Sequence, residues 1–228
     1  MRRRVLPAAL TAAMVTAAVA AGEPPRFEED FGFHYRPPPP GSYVLHRLRR
    51  MPDGWLLDVR GRRVRLSEVV RGRIALMGFA YTRCGDPQGC PLLLDRLFAV
   101  HDLGRRDAEL PRHLVIVLIS LDPAHDRPEL LRALEESVDP GGPPWRWLTV
   151  ARPEALTPLL EAFDQPVMVT RSGRFYHLLR LYLVDRTGWI REIYGLGFLD
   201  PRVLVNDVRT LLLEEERAGA GRPVPSSR

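Results

Sequence analysis

The chain has 228 residues, 45% of them apolar, and a formal charge of +5 with histidine neutral. It contains no lysine, and its arginines are spread along the sequence rather than clustered, which argues against a nucleic-acid-binding surface. This length and apolar content predict one well-packed domain.

The N-terminus, MRRRVLPAALTAAMVTAAVAA, joins a basic start at Arg2 to Arg4 to an alanine-rich apolar run from Val5 to Val19. Ala18-Val19-Ala20 then offers a small-x-small cleavage site. Residues 1–21 therefore read as a secretory signal peptide. The run is short for a span of about 20 residues, so an uncleaved anchor is the second choice. Removing Arg2, Arg3 and Arg4 lowers the charge to 5 − 3 = +2. The mature protein is expected in soluble form in a bacterial periplasm, where thiols can oxidise. Any membrane attachment would come through an uncleaved anchor or through a client.

Residues 22–54 read as an irregular arm, because the Pro37–Pro40 run favours extended polyproline and cannot continue a helix. A domain over residues 55–213 follows. Trp55–Val59 and Arg63–Leu66 flank Gly61 as a hairpin. IALMGFAY, Ile74–Tyr81, is a short apolar run suited to a buried strand. Pro91–Leu103 is a helix with Leu92, Leu93, Leu97 and Val100 at helical spacing. LVIVLISL, Leu114–Leu121, is the clearest buried strand. Asp126 and Pro128 open a further helix carrying Leu130, Leu131 and Leu134. Trp147–Val150 is a strand and Pro153–Phe163 a helix. Leu178–Val184 and Trp189–Tyr194, joined by DRTG, form a hairpin, and Pro201–Leu213 is a closing helix. Residues 214–228, charged and small, form a fraying tail. Strands alternating with helices predict an α/β fold, a central mixed sheet flanked by helices. A thioredoxin-like fold fits this order, as do some other α/β layers.

The only two cysteines, Cys84 and Cys90, fall in YTRCGDPQGCP, between the first buried strand and a helix. Gly85, Pro87 and Gly89 let this loop double back, so both sulfurs can lie together. A helix start favours a thiolate, the form that attacks disulfides and binds soft metals. Three readings stand: a structural disulfide, a dithiol–disulfide couple, or part of a metal site for Cu(I) or Zn(II). An added imidazole would extend that site to Cu(II). Of six histidines, His34, His46, His101 and His113 read as ordinary surface or core residues, and His125 as solvent-exposed. His177, at the start of HLLRLYLVD, is the candidate third ligand. Met77 reads as core filler and Met168 as an open thioether option. Asp86 reads as a turn former or an outer partner of the site, and Trp145 and Trp147 as packing residues.

Four blocks over residues 55–213 make the chain resemble the Sco/SenC proteins, copper-binding, thioredoxin-like factors of cytochrome c oxidase assembly. They are the apolar strand running into YTRC and then CP, SLDPAHDRPE at Ser120–Glu129, His177 with Tyr182 and Asp185, and the final D-x-x-G hairpin with its helix. The resemblance implies that Cys84 and Cys90 are copper thiolates, that His177 is the imidazole ligand, and that the client is a terminal oxidase subunit. The chain departs from the pattern in two places. Five residues rather than three separate its cysteines, and Leu178 stands where a serine commonly follows the ligand histidine. The implied function is that of a periplasmic copper-binding protein. The alternative is a thiol–disulfide oxidoreductase that reduces client cysteines before metallation, with Cys84 as the attacking thiolate, Cys90 its rival, and His177 dispensable. The Ser120–Glu129 block reads structurally, as strand end, turn and helix cap.

Overall fold

The computed structural model describes residues 32–171 and 175–220. The expected signal peptide, residues 1–21, and the end of the tail lie outside the described residues. The elements are β1 (Arg49–Arg50), β2 (Trp55–Leu57), β3 (Arg63–Arg65), α1 (Leu66–Val69), β4 (Ile74–Ala80), α2 (Cys90–Arg105), α3 (Leu110–His113), β5 (Leu114–Ser120), α4 (Pro128–Glu136) and β6 (Trp145–Leu148). Then follow α5 (Thr157–Ala162), β7 (Val167–Val169), β8 (Phe175–His177), β9 (Leu181–Val184), β10 (Trp189–Tyr194) and α6 (Pro201–Ala220).

Every residue of β4, β5 and β9 is buried. Continuous apolar runs of this kind suit strands covered on both faces, where alternation with polar residues would expose nothing useful. They form the centre of a mixed six-stranded sheet in the order β1-β10-β9-β4-β5-β6. β4, β5 and β6 run parallel, and β9 lies antiparallel to β4. With helices flanking the sheet, this is the expected thioredoxin-like α/β architecture. The β4–β5 register, from Ile74↔Leu114 to Ala80↔Ser120, brings both strands out at the same edge. The cysteine loop and the Leu121–Arg127 turn are neighbours for that reason.

Several elements differ from the sequence reading. The expected helix over Pro153–Phe163 is a 3-10 turn at Pro153–Ala155 followed by the separate α5. Pro158 has no N–H to continue a helical ladder, so the chain restarts at Thr157. β6 begins at Trp145 rather than Trp147, and α6 runs on through Ala220. Val167–Val169 and Phe175–His177 supply an unanticipated antiparallel ribbon, β7 with β8, in the register Val167↔His177. His177 therefore ends β8; the expected strand from Leu178 starts at Leu181.

The described part of the arm is irregular yet tied down. An extended proline run has no internal hydrogen bonds, and α6 supplies outside partners. Asn206 Nδ2 donates to Pro38 O at 2.9 Å, and Gly41 N donates to Thr210 Oγ1 at 2.9 Å. The Tyr43 hydroxyl meets the Asp207 carboxylate. Beyond them β1 joins the sheet edge against β10.

Candidate functional site

The loop Tyr81–Gly89 links the end of β4 to the start of α2. Asp86 makes its turn: Gln88 N donates to Asp86 Oδ1 at 3.0 Å and Gly89 N to Asp86 O at 2.9 Å. A side chain at Gly89 would begin 3.1 Å from Cys84 Sγ, so glycine is what lets the loop close over that sulfur.

Beneath the loop lies Asp126. The sequence places it as a helix cap, but Arg127 occupies that position and makes no side-chain cap bond. Asp126 is fully buried and turned toward the cysteine loop. Its carboxylate accepts from Thr82 N at 3.1 Å, from the Thr82 hydroxyl and from Ser120 Oγ at 2.7 Å. Beside it, Arg83 Nε donates to Asp122 Oδ2 at 3.0 Å. The Ser120–Glu129 block thus braces the cysteine loop as well as turning the chain. Its S-x-D-x-x-x-D spacing was visible in the sequence, but its target was not.

The two thiols are unbonded; Cys90 is buried and Cys84 partly exposed. Burial opposes ionisation at Cys84, but the N–H groups of Cys90 and Asp86, with the Cys90 thiol and the Tyr81 hydroxyl, hold its pKa below the ordinary thiol value. At Cys90 burial prevails, and with the neighbouring Cys84 it pushes the thiol up to about 12. The helix-start position expected to favour a Cys90 thiolate is outweighed by desolvation. Tyr81 is raised to about 12 by burial and by its hydrogen bond and charge contact with Cys84.

His177 reaches the same place from β8. Its Nδ1 lies 3.0 Å from Leu178 O. A carbonyl only accepts, so Nδ1 carries the proton and Nε2 keeps a free lone pair. That Nε2 lies 3.9 Å from Cys90 Sγ. Burial lowers the His177 pKa and so favours the neutral ring; the hydrogen bond to the Leu178 carbonyl acts in the opposite direction and only partly offsets it. Cys84, Asp86, Tyr81, Tyr176, His177 and Leu196 line a cleft of about 650 Å³. A larger cleft of about 780 Å³ lies beyond Phe175, which borders both, and contains no cysteine or histidine.

The structure brings Cys90 and His177 together, with Cys84 at the same cleft. Among the described residues, no group of three or more His, Cys, Asp or Glu side chains is disposed to hold a metal ion as it stands. The other histidines stay apart: His34, His46 and His125 are exposed, His101 is buried beside Trp145, and His113 bonds to Glu109. Met77 is core. Met168 is 70% exposed and pairs with Tyr176, on the ribbon face opposite to that of His177. Trp145 and Trp147 are packing residues, both buried.

The SCO1/SenC family model matches residues 54–213. No curated protein matches the chain significantly. Among solved structures, Arabidopsis thaliana ScoI with copper bound is 23% identical, covering 72% of this chain and 98% of its own, with a TM-score of 0.61. A SCO1/SenC family lipoprotein from Bacillus anthracis is 20% identical, covering 72% and 95%, with a TM-score of 0.63. Yeast Sco1 with copper bound is 18% identical, covering 80% and 99%, with a TM-score of 0.53. At these identities the structures establish a shared fold.

Proposed function

Since the chain belongs to the SCO1/SenC family, we propose that it is a periplasmic copper-binding protein that delivers copper to, or assists the assembly of, a copper centre of cytochrome c oxidase. The observation that carries this reading is the approach of His177 Nε2 to Cys90 Sγ, 3.9 Å apart, in the cleft that also holds Cys84. Two thiolates and a neutral imidazole form a soft donor set suited to Cu(I), and the imidazole extends it to Cu(II). The copper-bound Arabidopsis and yeast relatives support the cargo, and the Bacillus anthracis lipoprotein supports an extracytoplasmic site. Among the described residues no helix is long and apolar enough to cross a membrane.

Copper is cargo in this role, to be taken up and released. Cys84 sits on a glycine-flanked loop, and nothing lies within 4 Å of the position a Gly85 side chain would take. The Cys84 sulfur already lies within hydrogen-bonding reach of the Cys90 thiol. Transfer to a terminal oxidase subunit would proceed by exchange of these donors for the acceptor's thiolates. Oxidation to a Cys84–Cys90 disulfide removes both thiolates and gives a copper-incompetent state.

The test is anaerobic Cu(I) titration of the reduced protein against a competing chelator. Stoichiometric binding is expected, weakened about tenfold or more by His177→Ala and largely lost in Cys90→Ser. Absence of competitive binding by the reduced wild type overturns the reading.

The partly exposed, more acidic Cys84 thiol favours a second role, thiol–disulfide exchange. The Cys84 thiolate attacks a client disulfide, forming a mixed disulfide and releasing one client thiolate. Cys90, once deprotonated, displaces the second, leaving a reduced client and an oxidised Cys84–Cys90 pair. Cys90→Ser should then trap a mixed disulfide through Cys84, and His177→Ala should leave reduction intact. Failure of Cys90→Ser to trap any disulfide-bearing client peptide would remove this role.

A further inference from the structure

Gln165 is a polar side chain only 3% exposed; it lines the larger cleft beyond Phe175 rather than the cysteine cleft. It follows Asp164, whose φ of 50° is the left-handed turn that ends α5 and directs the next residue inward. A buried amide needs partners at both ends. Gln165 Nε2 donates to Leu178 O at 2.8 Å, and Gln165 Oε1 lies 3.3 Å from the Tyr182 hydroxyl, whose one proton is shared between Oε1 and Phe163 O at 3.1 Å. The carbonyl cannot donate, so the chemistry admits one orientation of the amide. Tyr182 is a fully buried residue of β9, against Phe79 and Phe163.

Leu178 O therefore has two donors. One is Gln165 Nε2; the other is His177 Nδ1, at 3.0 Å. A continuous path runs from the central sheet through Tyr182, Gln165 and the Leu178 carbonyl to the imidazole. Leu178 itself is exposed and lies in the connection between β8 and β9. Gln165 is thus the side chain that ties this carbonyl to the sheet.

We propose that Gln165 is a positioning residue for His177, holding the Leu178 carbonyl where it fixes the Nδ1–H tautomer and presents the unprotonated Nε2 to Cys90. The consequence for copper rests on the copper-binding reading above. The tautomer itself is a property of the metal-free protein. Partners that orient a ligating histidine in this way typically change metal affinity 10- to 100-fold, as an order of magnitude.

The deciding measurement is the ¹⁵N spectrum of the His177 imidazole in metal-free, reduced protein at about pH 8, above the usual imidazole range. Wild type should show a single Nδ1–H tautomer. Gln165→Met keeps the volume but donates no hydrogen bond, and should admit the Nε2–H tautomer; Gln165→Asn, with a shorter reach, should do the same. Cu(I) affinity should fall about tenfold in Gln165→Met, with little further loss when His177 is already alanine. Leu131→Ala, which cuts a buried side chain of α4, should lower the thermal midpoint and leave the tautomer unchanged. A His177 ring still held wholly as Nδ1–H in both Gln165 variants overturns the proposal. If wild type binds no Cu(I), the copper reading falls, while the tautomer comparison still decides the role of Gln165.

Discussion

On one side of the cleft, Cys84 and Cys90 sit between a fully buried strand and a helix of 16 residues, over a carboxylate that takes three hydrogen bonds. On the other, His177 ends a three-residue strand of a two-stranded ribbon whose Met168, Val169 and Tyr176 are exposed. An isolated ribbon of this size has little stability of its own, so the imidazole depends on Gln165 and the Leu178 carbonyl for its position. The two halves divide the work. The cysteine half is set by the core, and the histidine half is adjustable at low free-energy cost.

Four measurements break or sharpen this contrast. The largest effect should come from Asp126→Ala, which leaves the Thr82 N–H, the Thr82 hydroxyl and Ser120 Oγ without their acceptor in the interior. A loss of about 3 kcal/mol is expected by urea denaturation; a loss below about 0.5 kcal/mol would mean that the cysteine loop does not depend on this brace. Next, hydrogen exchange should separate the scaffolds. Amides of Ile74–Ala80 should exchange near the global unfolding limit, and those of β7 and β8 through openings about 2 kcal/mol or more lower. Equal protection of the two would erase the distinction.

A smaller difference, about tenfold or more in rate, should separate the thiols on alkylation near pH 7, Cys84 reacting first. The sign follows from the shifts. Hydrogen bonds hold the Cys84 pKa below the ordinary thiol value, so its rate should level off at lower pH, while that of Cys90 should still be climbing toward its value of about 12. Faster labelling of Cys90 would reverse the roles given to the pair. The smallest effect belongs to Met168→Ser, on the outer ribbon face, which should stay within about 0.5 kcal/mol of wild-type stability and leave Cu(I) affinity unchanged. A clear drop in affinity would bring the Met168 thioether back as a ligand.

Much of the scaffold was legible because its signals are local. The runs IALMGFA and LVIVLIS are short, continuous and apolar, as suits buried strands, and GDPQG is turn chemistry. Cys84 and Cys90 were therefore placed at a strand–helix junction from neighbouring residues alone. The ribbon carrying His177 was not legible as a separate element. VMV and FYH are each three residues long, too short for alternation to register, and HLLRLYLV reads as one continuous strand. Asp126 looked like a cap because aspartate before proline at a helix start commonly is one. Instead, three donors from elsewhere in the fold claimed its carboxylate.

Residue patterns alone gave the main strands and helices, the two thiols in a tight loop, and a family pattern that singled out His177. Those follow from short-range periodicity, turn residues and motif spacing. Tertiary structure alone decided which thiol is the more acidic, which nitrogen of His177 is bare, and that Asp126 and Gln165 act on the site. Each of these depends on burial and on hydrogen bonds between residues far apart in the chain, such as Thr82 with Asp126 across 44 positions. No local pattern records a donor that arrives from another strand.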